Sequence, residues 1–172
     1  MRTASVDDIK KELKELPPKK VLELLLRLIR FKKENKELLT YLLFESQDEQ
    51  GYVQVLKADI DEQFAVVAPT PTSLAKKQYR KILRGINRQI KYIGSKAAAV
   101  ELLLHFAATL RKQDTSLHPK LESIFLQQLT KAEKLLPTVE DDLQFDFQQQ
   151  IDSLREGTSK VVSFKKKFFR FR

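Results

Sequence analysis

Residues 74–93 read LAKKQYRKILRGINRQIKYI, and the spacing of their apolar side chains decides the class of fold. Counted at about 100° per residue from Lys76, the positions Tyr79, Ile82, Leu83, Ile86, Ile90 and Ile93 fall between about 240° and 340°, a single stripe along an α-helix. Lys76, Lys77, Arg80, Lys81, Arg84, Arg88 and Lys91 fall between about 0° and 140°. A strand would need apolar and polar residues to alternate, and here they do not. One face is therefore suited to dock on a core. The other presents seven cations along roughly 30 Å of helix, with no carboxylate inside the helix to pair them.

The same period runs through most of the 172 residues, with four Gly and no Trp, and almost none of the turn dipeptides that join strands. An all-α fold of about eight helices follows. The first starts at Ser5, whose hydroxyl suits an N-cap, and stops at Pro17-Pro18. The second runs from that Pro pair to Phe31, apolar almost all round and so expected to be buried. A third follows Asn35 through Leu38, Leu39, Leu42, Leu43 and Phe44, and Asp48 caps a fourth carrying Tyr52, Val53, Leu56, Ile60 and Phe64. Ala68-Pro69-Thr70-Pro71 breaks the chain into halves 1–68 and 73–158 of one helical domain, with Thr72 or Ser73 capping the fifth helix. Gly94 ends that helix and Ser95 caps the sixth, through Leu102, Phe106 and Leu110. His118-Pro119 opens the seventh and Pro137-Thr138 the eighth, with a stop at Gly157 before a basic, aromatic tail, 159–172.

Glu23-Leu24-Leu25-Leu26 recurs as Glu101-Leu102-Leu103-Leu104, each in an apolar helix and followed by a basic patch and a second helix. With this echo the chain over residues 17–158 resembles a short α-solenoid of the HEAT or armadillo kind. That resemblance is architectural: it implies stacked antiparallel helical hairpins, and no functional residue carries over from it. An irregular helical bundle is the alternative architecture.

Charge is the clearest functional signal. Gln63 to Val100 holds eight Lys or Arg and no acid, and Lys160 to Arg172 holds six more. These blocks contribute +14, and the remainder sums to −5, giving the net +9. Segregated charge of this kind points to an acidic partner through Lys77, Arg80, Lys81, Arg84, Arg88 and Lys91, nucleic acid being the first candidate. A phosphate backbone suits such a row, and Asn87 and Gln89 are the sole amides near its centre that would reach a base edge. The competing expectations are a merely solvated face, a face neutralised by acidic helices elsewhere in the chain, and a protein–protein adaptor whose apolar grooves do the binding. In the tail, Phe164, Phe168, Phe169 and Phe171 interleave with cations. That pattern suits an anionic membrane surface, unpaired bases, or folding back onto the body.

Chemistry is sparsely represented. Without Cys there is no disulfide, thiol nucleophile or Cys-ligated metal. His105, between Leu104 and Phe106, reads as a hydrogen-bonded core or boundary histidine; His118 reads as a loop or capping residue; Glu140-Asp141-Asp142 reads as a helix start. Glu23 and Glu101 read as partners of a Lys or Arg, or as residues exposed on a narrow polar stripe. No phosphate loop, metal pattern or nucleophile elbow is present. The expectation is a cytoplasmic, non-enzymatic interaction module without a cofactor.

Overall fold

In the computed structural model, which describes residues 3–67, 72–113 and 118–168, the chain is all-α. Its helices are α1 (Val6–Glu15), α2 (Pro18–Phe31), α3 (Lys33–Thr40), α4 (Glu49–Val67), α5 (Thr72–Ile93), α6 (Lys96–Gln113), α7 (Pro119–Leu135) and α8 (Asp141–Phe168). A π turn at Tyr41–Glu45 follows α3, and a 3-10 turn at Leu136–Thr138 precedes α8. No strand occurs among the described residues, and no helix among them is long and apolar enough to cross a membrane.

Local chemistry accounts for several helix ends. At α1, Asp8 N–H donates to Ser5 Oγ (3.2 Å) and Ser5 N–H donates to Asp8 Oδ2 (3.3 Å), a reciprocal capping box. Gly51 N–H donates to Asp48 Oδ1 (2.8 Å) at the start of α4, and Ala98 N–H donates to Ser95 Oγ (3.3 Å) at α6. Gly94 ends α5 with φ +77°, a conformation strained for any residue with a Cβ. Helix α5 begins at Thr72, and the side chains of Thr72 and Ser73, either of which was expected to cap it, lie outside the described residues.

The chain forms two compact units, Met1–Glu45 and Ser46–Arg172. This boundary differs from the expected halves: α4 and α5, on either side of the proline-rich break, belong to the same unit. In the first unit α2 packs on α3, and Asn35 Nδ2 donates to Leu28 O (2.8 Å) across that hairpin. The expected burial of α2 is not observed. None of its residues is buried, and Leu22, Leu25, Leu26 and Leu28 are exposed. Its apolar arc is wider than the eight-residue α3 can cover. The expected third helix reaches only Thr40; Leu42, Leu43 and Phe44 lie in the π turn and are exposed, and Tyr41 is the one buried residue described in this unit.

The second unit is organised around α6, which contacts α4, α5, α7 and α8. Nine of its 18 residues are buried, among them Leu102, Leu103, Leu104, Phe106 and Leu110. Its half-buried residues Glu101, His105 and Thr109 recur every four positions, and α4 answers this stripe. Lys57 pairs with Glu101, while Asp61 Oδ1 meets His105 Nε2 (2.8 Å) and accepts from Thr109 Oγ1 (3.1 Å). Farther along, Gln113 Nε2 donates to Phe64 O (3.0 Å). The paired numbers rise together, so α4 and α6 run parallel. Between α4 and α5 they run oppositely: Tyr52 OH donates to Gln89 Oε1 (3.0 Å), and Phe64 stacks on Tyr79 with centroids 4.9 Å apart. Phe106 closes that aromatic cluster, edge-on to Phe64 at 5.0 Å.

The helix stop expected at Gly157 is not observed, since α8 continues to Phe168; an interior glycine weakens a helix by only about 1 kcal/mol. How the side chains of the 159–172 tail pack lies outside the described residues. The repeated Glu-Leu-Leu-Leu motif has two different fates. Leu102, Leu103 and Leu104 are at most 2% exposed, whereas Leu24, Leu25 and Leu26 are 37–39% exposed. Leu103→Ala is therefore expected to lower unfolding free energy by about 2–5 kcal/mol and Leu25→Ala by less than about 1 kcal/mol, measured by urea denaturation.

Candidate functional site

Helix α5 places Ala75, Tyr79, Ile82, Leu83 and Ile86 in the core, the face that its periodicity marks as apolar. Lys77, Arg80, Lys81, Arg84 and Lys91 are exposed, and Lys76 and Arg88 are half-buried. Among the described residues no carboxylate lies within 4.0 Å of the charged nitrogens of Lys77, Arg80, Lys81, Arg84 or Lys91. Neutralisation of those five by acidic helices of the same chain is thus absent among the described residues. The ion pairs that do form near α6 use Lys57 with Glu101 and His105 with Asp61.

A groove runs between α4 and α5 on the flank that carries Lys77, Lys81, Arg84 and Arg88. It consists of two adjoining cavities of about 380 and 560 Å³ that share Gln63, Lys81, Ile82 and Arg84. Toward the middle of α5, the smaller cavity has Leu56, Ile60, Ile82 and Ile86 beneath it and Asp59 and Gln63 on the α4 side. Toward the start of α5, the larger one is lined by Val66, Val67 and Lys77. Arg80 and Lys91 line neither cavity. The six cations singled out from sequence therefore separate into four along the groove and two beyond it.

Gly85 also lines the groove, one turn from both Lys81 and Arg88. Its φ is not positive, and a Cβ built on it would meet nothing within 4 Å, so neither backbone conformation nor crowding within the protein requires glycine there. The α4 wall was not apparent from sequence, because Leu56, Asp59 and Gln63 join α5 through tertiary packing. Gly85 was visible as an isolated glycine in a helical pattern, a signal that carries meaning once its surroundings are known.

The amides near the centre of α5 have internal partners. Asn87 Nδ2 donates to Leu83 O (2.6 Å), and Gln89 Oε1 accepts from Tyr52. On α4, Asp59 Oδ2 accepts from Gln63 Nε2 (2.7 Å). His118 is exposed at the start of α7, its carbonyl accepting from Leu121 N–H (2.7 Å). Glu140, Asp141 and Asp142 are exposed at the start of α8, where Gln144 Nε2 donates to Asp141 Oδ1 (3.1 Å). Glu23 pairs with Lys20 in the open (2.9 Å). Comparison with protein-family models, with curated proteins and with solved structures finds no match to this chain.

Because the space around Gly85 is open, Gly85→Ala is expected to stabilise the protein by about 0.5–1 kcal/mol through helix propensity and reduced unfolded-state entropy. Thermal unfolding would show this as a rise in Tm of about 1–4 °C.

Proposed function

We propose that this protein is a non-enzymatic helical interaction module of the cytoplasm that holds an acidic macromolecule, nucleic acid first, along the cationic flank of α5. The observation that carries this reading is the row of exposed α5 cations without carboxylate partners among the described residues. Lys77, Lys81 and Arg84 succeed one another every three or four residues, an axial step of about 4.5–6 Å. One strand of a stacked nucleic acid carries a phosphate every ~3.4 Å. A ligand following the helix would therefore meet cations in succession, and each neutralised phosphate would release counterions. Within this reading the succession of α4, antiparallel α5 and parallel α6 supports stacked hairpins of the HEAT or armadillo kind.

One observation favours an adaptor role as a second reading. The exposed leucines of α2 leave an apolar surface of the kind that partner proteins cover.

Fluorescence-anisotropy titration with random-sequence DNA and RNA tests the first reading. The expected result is micromolar or tighter binding near 150 mM salt, with a log-log salt slope corresponding to about four phosphates. The combined substitution of Lys77, Lys81 and Arg84 by Glu is expected to abolish it while leaving the helical circular-dichroism spectrum intact. Unchanged binding by that variant would turn attention to the apolar surface of α2.

A further inference from the structure

The α4–α5 groove combines three chemistries that a bare row of phosphates would not use together. Its floor is apolar, from Leu56, Ile60 and Ile86; one side carries Lys81 and Arg84; the opposite side carries Asp59. Duplex backbone would pair with the cations and leave the floor empty. An acidic peptide would bring carboxylates toward Asp59 and be repelled there. A nucleotide with an unpaired base fits all three features. Its phosphates match the cations, its flat faces match the apolar floor, and the N–H donors on its base edge match a carboxylate acceptor. Asp59 already accepts from Gln63 through Oδ2, leaving Oδ1 for such a donor.

Gly85 adds an independent observation. A glycine inside a helix weakens it, and here neither a positive φ nor a neighbouring atom accounts for it. Its place is at the cavity, between the cations one turn on either side. Absence of a Cβ lets a ligand approach the backbone closely, one of the uses for which glycine is suited. Resting on the reading of α5 as a nucleic-acid-binding face, we infer that the groove at Gly85 receives an unpaired base of single-stranded nucleic acid while Lys77, Lys81 and Arg84 hold the adjoining phosphates. The cavity of about 380 Å³ provides the space, and the adjoining cavity continues the track toward Lys77. Duplexes keep their bases stacked and paired, so single strands are the preferred ligand.

The test uses the full chain at fixed physiological salt and compares three labelled probes of equal length: a mixed-sequence single strand, its duplex, and a single strand with abasic sites. Wild type should bind the intact single strand about tenfold more tightly than the duplex or the abasic strand. Gly85→Leu, which fills the notch without adding an aromatic ring on which bases stack, should bind the intact single strand no more tightly than the abasic strand. The abasic comparison uses wild-type protein, so it remains decisive if the Leu variant folds poorly. Equal affinity for all three probes would overturn the base pocket while leaving the basic-face reading standing. Failure to bind any of them would overturn both. Displacement of the single strand by a poly-glutamate peptide at comparable concentration would assign the groove to an acidic peptide and overturn the inference.

Discussion

Helix α6 is the constraint on which the second unit depends. Apolar side chains surround it on nearly every side, and such a helix has to be enclosed by others to exist in water. Helices α4, α5, α7 and α8 provide that enclosure. The single interruption is the stripe of Glu101, His105 and Thr109, which would lose hydration without partners. Lys57 and Asp61 on α4 supply them, so the polar stripe fixes how α4 lies along α6. Each such contact is modest in energy at partly exposed positions, and its larger effect is on register. Hydrophobic enclosure gathers the helices; the polar stripe aligns one pair of them.

This arrangement also explains why the α5 cations remain uncompensated. The α4 acid nearest α6, Asp61, is committed to His105 and Thr109. Glu101 turns to Lys57. On α7, Glu133 meets Arg155 of α8 (2.6 Å). Asp59, which does line the groove, is held by Gln63. Opposite charges are thus present in the same unit, yet packing directs Asp59, Asp61, Glu101 and Glu133 to other partners. Coulomb repulsion among the α5 cations is relieved by solvent and counterions, and those counterions are what an anionic ligand would displace.

The legible parts of this molecule are those determined within one helix. The stripe Tyr79, Ile82, Leu83 and Ile86 can be assigned to the core from spacing alone, and the cations opposite them to solvent. Ser5, Asp48 and Gly94 likewise act on backbone a few residues away. Burial of α2 does not follow from its composition, because an apolar helix is buried only where enough partners surround it, a property of tertiary packing. Leu25 and Leu103 occupy matching places in one motif, yet α2 packs chiefly on the short α3 while four helices enclose α6. The groove is not legible in the sequence for a related reason. Its cationic side lies within α5, but its acidic side and part of its floor come from α4, on the other side of the proline-rich break.

The Gly94 turn has a consequence for folding order. Two residues, Gly94 and Ser95, separate α5 from α6, so bringing these helices together closes a very small loop and loses little chain entropy. The α4–α6 stripe, by contrast, joins residues 44–48 positions apart. Pairing of α4 with α5 is nearly as local, since four residues separate them, so both hairpins lose far less chain entropy than the direct α4–α6 contacts. The ridge that bears the cations is thus common to both local pairings, and closing the cleft beside it does not wait on the α4–α6 stripe.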